Sequence, residues 1–162
     1  MVALAACGRV GFRDHAVDAA EPDAVPADAP RVLVETLVVP TDGTRVTSTM
    51  TLTLDDSFLL VASGTFIAVP PAVDPMADAE YYDMTDPAAG PKDIDTTNNI
   101  DFGLALDANA AAATKTPATW GPYNSDHVYT VAFTGRGAKL SAMLFDCCYS
   151  DNVGTLKLEI YR

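Results

Sequence analysis

The chain has 162 residues, of which 49% are hydrophobic and 20% are charged, and this composition is ordinary for one globular domain with a tail. The formal net charge is −12; because a surface that acidic repels phosphate backbones, nucleic acid is excluded as an expected partner. No apolar run approaches the ~20 residues that span a bilayer, so no transmembrane helix is expected.

The N-terminal stretch "MVALAACGRV" contains Leu4-Ala5-Ala6-Cys7. These residues resemble the lipobox of bacterial lipoproteins, in which small residues before a cysteine permit cleavage and the freed cysteine is lipidated. The resemblance implies an exported protein, anchored through Cys7 to the outer membrane or cell surface. A signal peptide needs a basic region and roughly 7–15 apolar residues before the cleavage site, so the true start is expected upstream of Met1. The alternative is a chance small-residue sequence with a free thiol.

Residues 8–30 are predicted to form an extended linker. Alanine, aspartate and proline dominate the second half of this segment, and such a composition buries little surface. His15 lies within it and is expected to be solvent-exposed and without a role. A lipobox in residues 1–7, an acidic tether and a folded domain over 31–162 form the order that a membrane-anchored surface protein needs.

From residue 31 onward, the pattern of apolar residues has a period of two, which is typical of half-buried strands. In "RVTSTMTLTL" the threonines and Arg45 share one face, and the other face carries Val46, Met50, Leu52 and Leu54. The C-terminal "GTLKLEIYR" alternates in the same way. Strands are predicted at 32–39, 45–54, 58–69, 100–106, 127–133, 138–145 and 154–162.

The connections between these strands indicate the fold. A turn at 135–137 predicts a hairpin over 127–146. Residues 70–99, rich in Pro, Asp and Asn, are expected to form a long irregular excursion, and "LDANAAAATK" either one or two helical turns or a loop. About seven or eight short strands predict an all-β fold, a jelly-roll β-sandwich over residues 31–162 that needs no disulfide.

No catalytic signature is present. The chain has no G-x-S-x-G elbow, no zinc-type spacing, and no triad pattern around His15 or His127. Paired carboxylates arise by chance in a chain this acidic, so a glycosidase is not indicated. "DIDTTNNID" (93–101) is similar to the start of an EF-hand loop but lacks its glycine and has Leu104 in place of the bidentate glutamate. A less regular set of oxygen ligands there stays open, and a non-catalytic protein is expected.

The loop "FDCCYSDNVG" (145–154) is the most specific candidate site. Asp146, Asp151 and Asn152 supply oxygen atoms of the kind that hard cations such as calcium bind. Gly154 then allows the chain to turn into the last strand. Spacing alone favours the simpler interpretation, that Asp151 and Asn152 form a polar turn.

A resemblance to a known family favours the calcium site over the polar turn. "FDCCYSDNVGTLKLEIY" resembles the last loop and strand of the PA-IL family of galactophilic bacterial lectins, and "RVTSTMTLTLDDSFLLVASGTF", "ADAEYYD" and "WGPYNSDHVYTVAFTGRG" are also similar to segments of PA-IL-like domains. The resemblance spans roughly residues 33–162. It implies a small jelly roll of galactose-binding-domain type, in which Asp, Thr and paired Asn side chains hold a calcium ion that accepts two neighbouring hydroxyls of a galactose-like sugar or glycan.

Carried over residue by residue, the resemblance assigns Asp146 to the first aspartate of the family's loop. Asp151 and Asn152 match its consecutive amide pair, with Asp in place of the first Asn. A backbone carbonyl near Ala68 would complete the calcium cage. The resemblance therefore implies a metal site of Asp146, Asp151, Asn152 and Ala68.

The loop also departs from the family pattern. It is about two residues shorter, the threonine ligand has no counterpart, and the family's sugar-contacting histidine has no clear match. Two readings follow: the protein binds sugar with calcium, or it is a structural or adhesion module of the same fold that has lost the sugar and calcium site.

Cys147 and Cys148 occupy the shortened stretch. Adjacent Cα atoms lie about 3.8 Å apart, whereas ordinary disulfides need about 4.4–6.8 Å, so a vicinal disulfide is strained. An exported domain meets an oxidising environment. A strained ring that shapes the loop and a pair of reduced thiols therefore both stay open.

Several further residues are weaker candidates for ligand contact. Tyr149 and Trp120 are aromatic residues expected near the sugar, although a lone tryptophan before Gly-Pro also suits core packing. Asp78, Glu80 and Tyr81 lie in the long excursion and are further candidates. His127 is expected to be structural rather than catalytic.

Overall fold

The computed structural model describes residues 30–68, 76–83, 90–95, 100–106, 120–146 and 148–162. The predicted lipobox, all of the predicted linker but its last residue, and the alanine-rich stretch after Leu106 lie outside these residues. Within the described ranges the regular structure consists of β-strands and one short 3-10 helix at Tyr149–Asp151. The all-β prediction is therefore confirmed.

The described residues form eleven strands. Seven are longer than two residues, and four are two-residue strands in the connection between the third and eighth strands. In chain order they are β1 (Leu33–Pro40), β2 (Val46–Leu52), β3 (Ser57–Ser63), β4 (Phe66–Ile67), β5 (Met76–Ala77), β6 (Ile94–Asp95), β7 (Ile100–Asp101), β8 (Gly103–Leu106), β9 (Val128–Thr134), β10 (Ala138–Phe145) and β11 (Thr155–Tyr161).

The strands assemble into two antiparallel sheets, ordered β1-β11-β3-β9 and β2-β10-β8. Pairing is nested: β1 pairs with β11, β2 with β10 and β3 with β9. Such nesting arises when one long antiparallel ribbon rolls up so that its two strands alternate between facing sheets, which is the jelly-roll arrangement. The predicted jelly-roll sandwich is thus confirmed, and the chain's C-terminal strand lies in the middle of the first sheet.

The predicted hairpin over 127–146 is wrong. β9 pairs with β3 in one sheet, and β10 pairs with β2 and β8 in the other. The intervening turn follows the β2–β3 connection around the corner of the sandwich: the Gly135 N–H donates to the carbonyl of Asp56 at 2.8 Å, and the Asp55 N–H donates to the carbonyl of Gly135 at 2.9 Å. Both strands thus pair with earlier strands of the ribbon instead of with each other.

The core fills the space between the two sheets, as the period-two pattern predicts. The inward residues of β11, Leu156, Leu158 and Ile160, are all buried. Leu54 is 61% exposed, because β2 ends at Leu52 and the alternation ends with it.

The described parts of the predicted irregular excursion pack against this core. β5 pairs with β4, and residues 77–80 are all buried. Tyr82 and Lys92 exchange backbone hydrogen bonds of 2.8 and 3.0 Å, which tie 76–83 to 90–95. Two acidic side chains, Asp78 and Glu80, are thereby carried into the interior.

Candidate functional site

Two loops flank one short segment at one end of the sandwich. The Gly64 N–H donates to the carbonyl of His127 at 3.3 Å, which joins the start of the segment to the β9 entry loop (residues 121–127). Ile67 exchanges backbone hydrogen bonds of 3.1 and 2.9 Å with Val153, which joins its end to the C-terminal loop (residues 146–154). Residues 64–68 therefore lie between the two loops.

The C-terminal loop brings two of its predicted site residues into direct contact. The Asn152 amide nitrogen donates to Asp146 Oδ2 at 2.8 Å and to the carbonyl of Thr41 at 2.9 Å. Both partners are acceptors, so the orientation of the Asn152 amide is fixed, and its Oδ1 must point away from them. Thr41, which precedes the β1–β2 turn, was not among the sequence candidates.

Two oxygens on consecutive residues of this loop have no hydrogen-bond partner among the described residues. Asp151 Oδ1 and Asn152 Oδ1 are both buried, and neither accepts a hydrogen bond from the residues that the structure describes. A buried acceptor without a donor costs about 1–3 kcal/mol, so such atoms call for an external partner. The two oxygens belong to residues that the PA-IL resemblance assigns to a calcium site.

Ala68 lies beside these residues, because the antiparallel bridge between Ile67 and Val153 sets Ala68 next to Asn152. The four residues predicted to form a metal site therefore lie in one region. Among the described residues, no group of three or more His, Cys, Asp or Glu side chains is arranged to hold a metal ion. A cation here would depend on the Asn152 amide and on main-chain carbonyls as well as on two carboxylates.

Tyr149 shapes the loop. Its ring packs on Gly43, where an added Cβ would lie 2.9 Å from two ring atoms. Gly43 has a φ of +79°, so both its conformation and its neighbour favour glycine. The Asp146 N–H donates to the Tyr149 hydroxyl at 3.4 Å. One face of this ring is thus already occupied by protein, and a ligand could meet only the remainder of the half-buried side chain.

Trp120 lies in the core, which is the alternative that the sequence left open. It is 4% exposed, and its indole N–H donates to the carbonyl of Leu104 at 2.9 Å. Its backbone N–H donates to Glu80 Oε2 at 3.1 Å. A buried indole has no ring face for a sugar to stack on, so we leave Trp120 out of the ligand contacts proposed below.

The cysteine pair is described at one position only. Cys148 is exposed and forms no disulfide with another described residue, whereas Cys147 lies outside the described residues. The carbonyl of Cys148 accepts from the N–H of Asp151 at 3.3 Å and opens the short 3-10 helix. The helix ends at Asp151, directly before Asn152. The vicinal disulfide stays a hypothesis.

A second cluster surrounds Asp78, whose side chain is fully buried. Asp78 Oδ1 accepts from the backbone N–H groups of Glu80 and Tyr81 at 2.9 and 2.8 Å. Asp78 Oδ2 accepts from the Tyr129 hydroxyl at 2.7 Å and lies 3.0 Å from His127 Nδ1. Burial raises the pKa of Tyr129, and its hydrogen bond to Asp78 raises it further, so Tyr129 stays a donor.

The β9 entry loop holds His127 in an unusual conformation. His127 has a φ of +53°, in the left-handed region that few residues other than glycine adopt. Asn124 maintains it: the Asn124 carbonyl accepts from the His127 N–H at 2.9 Å, and the Asn124 side chain donates to the carbonyl of Val128 at 2.8 Å. The contacts around Asp78 and His127 were not predicted, although the two residues lie in "ADAEYYD" and "WGPYNSDHVYTVAFTGRG", two of the segments that resemble PA-IL-like domains.

Glu80 is a buried carboxylic acid with a raised pKa. Burial raises the pKa of its carboxyl to about 7, and repulsion from Asp101, Asp93 and Asp78 adds to the effect. The hydrogen bond from the backbone of Trp120 lowers the pKa but does not offset these causes. Glu80 is therefore mostly protonated in the folded protein below neutral pH.

This pKa predicts the pH dependence of stability. The unfolded chain has the ordinary value of 4.5, so between about pH 4.5 and 7 the folded protein binds the extra proton and loses stability as pH rises. Glu80→Gln removes this loss and keeps an acceptor for Trp120. At pH 8 we expect the variant to be more stable than wild type, by at most about 3 kcal/mol in the free energy of unfolding. At pH 4.5 we expect the two proteins to be equally stable. Thermal melting at both pH values checks this; an equal difference at both would show that the effect is not ionisation.

Comparison with known proteins adds no relative: no family model, curated protein or solved structure matches the chain. Among the described residues, no helix is long and apolar enough to cross a bilayer. The basis for a proposed function is therefore the fold, the two clusters at this end of the sandwich and the two sequence resemblances.

Proposed function

We propose that this chain is a non-catalytic carbohydrate-binding module whose C-terminal loop holds its ligand with the help of a calcium ion. The observation that supports this function best is the pair of buried oxygens without a donor, Asp151 Oδ1 and Asn152 Oδ1. They adjoin Asp146, which already bonds to Asn152. A cation would satisfy both oxygens, whereas a polar turn alone leaves them without partners.

The chemistry of the loop favours calcium over softer metals. Calcium takes six to eight oxygen ligands from carboxylates, amides, carbonyls and water. Asp146, Asp151, Asn152 and the main chain at Ala68 would supply part of such a set. Positions that the protein leaves open are then available to neighbouring hydroxyl groups of a sugar, and the charge of the ion offsets the repulsion between the carboxylates.

The ligand class and the location rest on the two sequence resemblances, and both are part of the proposal. The PA-IL-like segments indicate a galactose-like sugar or a glycan that contains one. The lipobox-like sequence indicates an exported lipoprotein that is anchored through Cys7 at the outer membrane or cell surface. A module so placed would bind glycans outside the cell.

A second candidate function is a structural or adhesion module of the same fold without a sugar site. One observation favours it: the Asn152 amide is already bonded to Asp146 and Thr41, so the shortened loop is partly held together without an ion. In this alternative Asp151 and Asn152 form the polar turn that their residue types usually form.

A glycan array, probed with the full chain in calcium and then in chelator, tests the proposal. We expect binding to galactose-terminated glycans in calcium, its loss in chelator, and its loss in Asp151→Ala. Glu159→Gln on β11 is the control, because it removes an acidic side chain from the middle of the first sheet and leaves the loop unchanged. A protein that ignores every glycan with calcium present is not a lectin, and the structural alternative would replace the proposal.

A further inference from the structure

We propose that Tyr123 and His127 form a second ligand contact, so that the module recognises a neutral glycan of two or more linked rings instead of a single sugar. This inference rests on the proposed function, because it assumes that the C-terminal loop binds the first ring. It adds a subsite on a different loop, the β9 entry loop, with its own contacts and its own ligand chemistry.

The first observation concerns the His127 ring. Asp78 Oδ2, 3.0 Å from His127 Nδ1, belongs to a buried carboxylate that also accepts from Tyr129 and two backbone N–H groups. The carboxylate therefore acts as the acceptor and Nδ1 carries a proton, which leaves Nε2 as the acceptor of the neutral ring. No hydrogen bond within the described residues uses Nε2, and the side chain is 22% exposed.

The second observation concerns the backbone at His127. The loop holds this residue in the left-handed region, which is uncommon for residues other than glycine. Strained conformations that the surrounding structure maintains concentrate at ligand sites. Here the backbone conformation and the contact with buried Asp78 both fix the orientation of the His127 imidazole.

The third observation concerns Tyr123, which is 40% exposed. Its ring meets the ring of Tyr81 nearly at right angles, with centroids 5.6 Å apart, and that of His127 at 65° and 5.9 Å. Edge-on packing against two neighbours fixes the orientation of the ring without a face-to-face partner. An exposed aromatic ring of fixed orientation suits stacking against the apolar C–H face of a sugar.

The spacing of the two contacts indicates the length of the ligand. Gly64 touches His127 and Ile67 touches Val153, so the two loops meet positions three residues apart on one segment. Three extended residues span at most ~10 Å. The two loops therefore meet this segment close enough together for two linked rings, one at each loop, to contact both.

The charges near the second contact indicate that the ligand is neutral. Segments 76–83 and 121–127 contain four acidic residues, Asp78, Glu80, Asp83 and Asp126, and no lysine or arginine. Lys92, which bonds to Tyr82, is ion-paired with Asp83. No arginine or lysine of these two segments is available to a carboxylate, so uronic and sialic acids are disfavoured. Hydroxyl groups can donate to Nε2 and fit this surface.

The test compares monosaccharides with the matching disaccharides, galactose with lactose, glucose with maltose and mannose with mannobiose, by calorimetry on the full chain in calcium. We expect the best disaccharide to bind about tenfold more tightly than its monosaccharide. Tyr123→Ala should abolish this tenfold advantage and leave monosaccharide affinity unchanged, whereas Tyr123→Phe should retain it. In ¹⁵N NMR spectra, the disaccharide should shift His127 Nε2 and leave the matched internal control, His15, unmoved.

The possible failures differ in meaning. If disaccharide and monosaccharide bind equally well, or if Tyr123→Ala changes the affinity for neither sugar, the second contact does not exist and the proposed function stands. An equal loss for both sugars in Tyr123→Ala also overturns the second contact, because it would place the effect on the first ring or on the fold. If the wild-type protein binds no sugar in the panel or on the array, both proposals fall together.

Discussion

Asp78→Ala is expected to lower the free energy of unfolding by about 3–5 kcal/mol, a large share of the roughly 5–15 kcal/mol that stabilises a typical domain. The Asp78 side chain is fully buried and accepts from two backbone N–H groups and from Tyr129, with His127 as its fourth partner. Alanine would leave buried donors without an acceptor and a cavity in place of the carboxylate. Segment 76–83 would also lose its link to β9.

Urea denaturation of wild type and variant measures this loss. Asp78→Asn, which keeps the shape and one acceptor oxygen, is expected to cost less than alanine. Asp126→Ala, at an exposed position in the β9 entry loop, should change stability by no more than about 0.5 kcal/mol. A loss below about 1 kcal/mol in Asp78→Ala would mean that the hydrogen bonds around Asp78 do not hold this end of the sandwich together.

Gly135→Ala is the second change with a large expected effect, about 3 kcal/mol or more. A Cβ at Gly135 would lie 1.8 Å from the backbone oxygen of Thr53 and 3.0 Å from the ring of Phe58. Thr53 belongs to the β2–β3 connection, which runs beside Gly135 at the corner of the sandwich, so the clash can be relieved only by separating the two chains of the ribbon. Hydrogen bonds to Asp55 and Asp56 would be lost with it.

Gly90→Ala is the matched control for this prediction. No atom of the described residues lies within 4 Å of an added Cβ at Gly90, whose φ is +71°. Its cost is thus the left-handed backbone alone, about 1–2 kcal/mol. Equal melting temperatures for Gly135→Ala and Gly90→Ala would show that the close approach at the sandwich corner is not needed for the fold.

Strand positions were predictable from sequence because burial alternates along a strand. The predicted inward residues of β11 are all buried, and β10 has the predicted limits, 138–145. The partner of each strand was not predictable in the same way. Alternation specifies which face of a strand is buried but not which sheet it joins, so the glycine-rich turn at 135–137 was equally compatible with a hairpin and with a sheet-to-sheet crossing.

In the candidate site, too, local features were more predictable than long-range contacts. Asp146 and Asn152 are only six positions apart, and the sequence grouped them as candidate ligands of one ion; the hydrogen bond between them was not predicted. Asn152 also bonds to Thr41, 111 positions away, and His127 to Asp78, 49 positions away. Contacts of that range depend on the rolled ribbon, and no local spacing encodes them.

The burial of acidic residues in the excursion was not predicted from composition, for a related reason. Residues rich in Asp and Pro usually stay at the surface, yet Asp78 and Glu80 are buried. Their burial becomes possible because backbone N–H groups and Tyr129 satisfy Asp78, while Trp120 donates to Glu80. Sequence alone does not show which donors will surround a carboxylate.

Thermal melting in calcium and then in chelator tests the central claim most directly. At ten times a dissociation constant of about 10⁻⁴–10⁻³ M, calcium should stabilise the fold by roughly 1.4 kcal/mol, or a few degrees. Asp151→Ala should abolish the rise, and Glu159→Gln should retain it. A calcium-dependent rise that is lost with Asp151 would place the ion in the C-terminal loop. No rise at ~10 mM calcium would contradict the calcium site and leave the structural module as the better account.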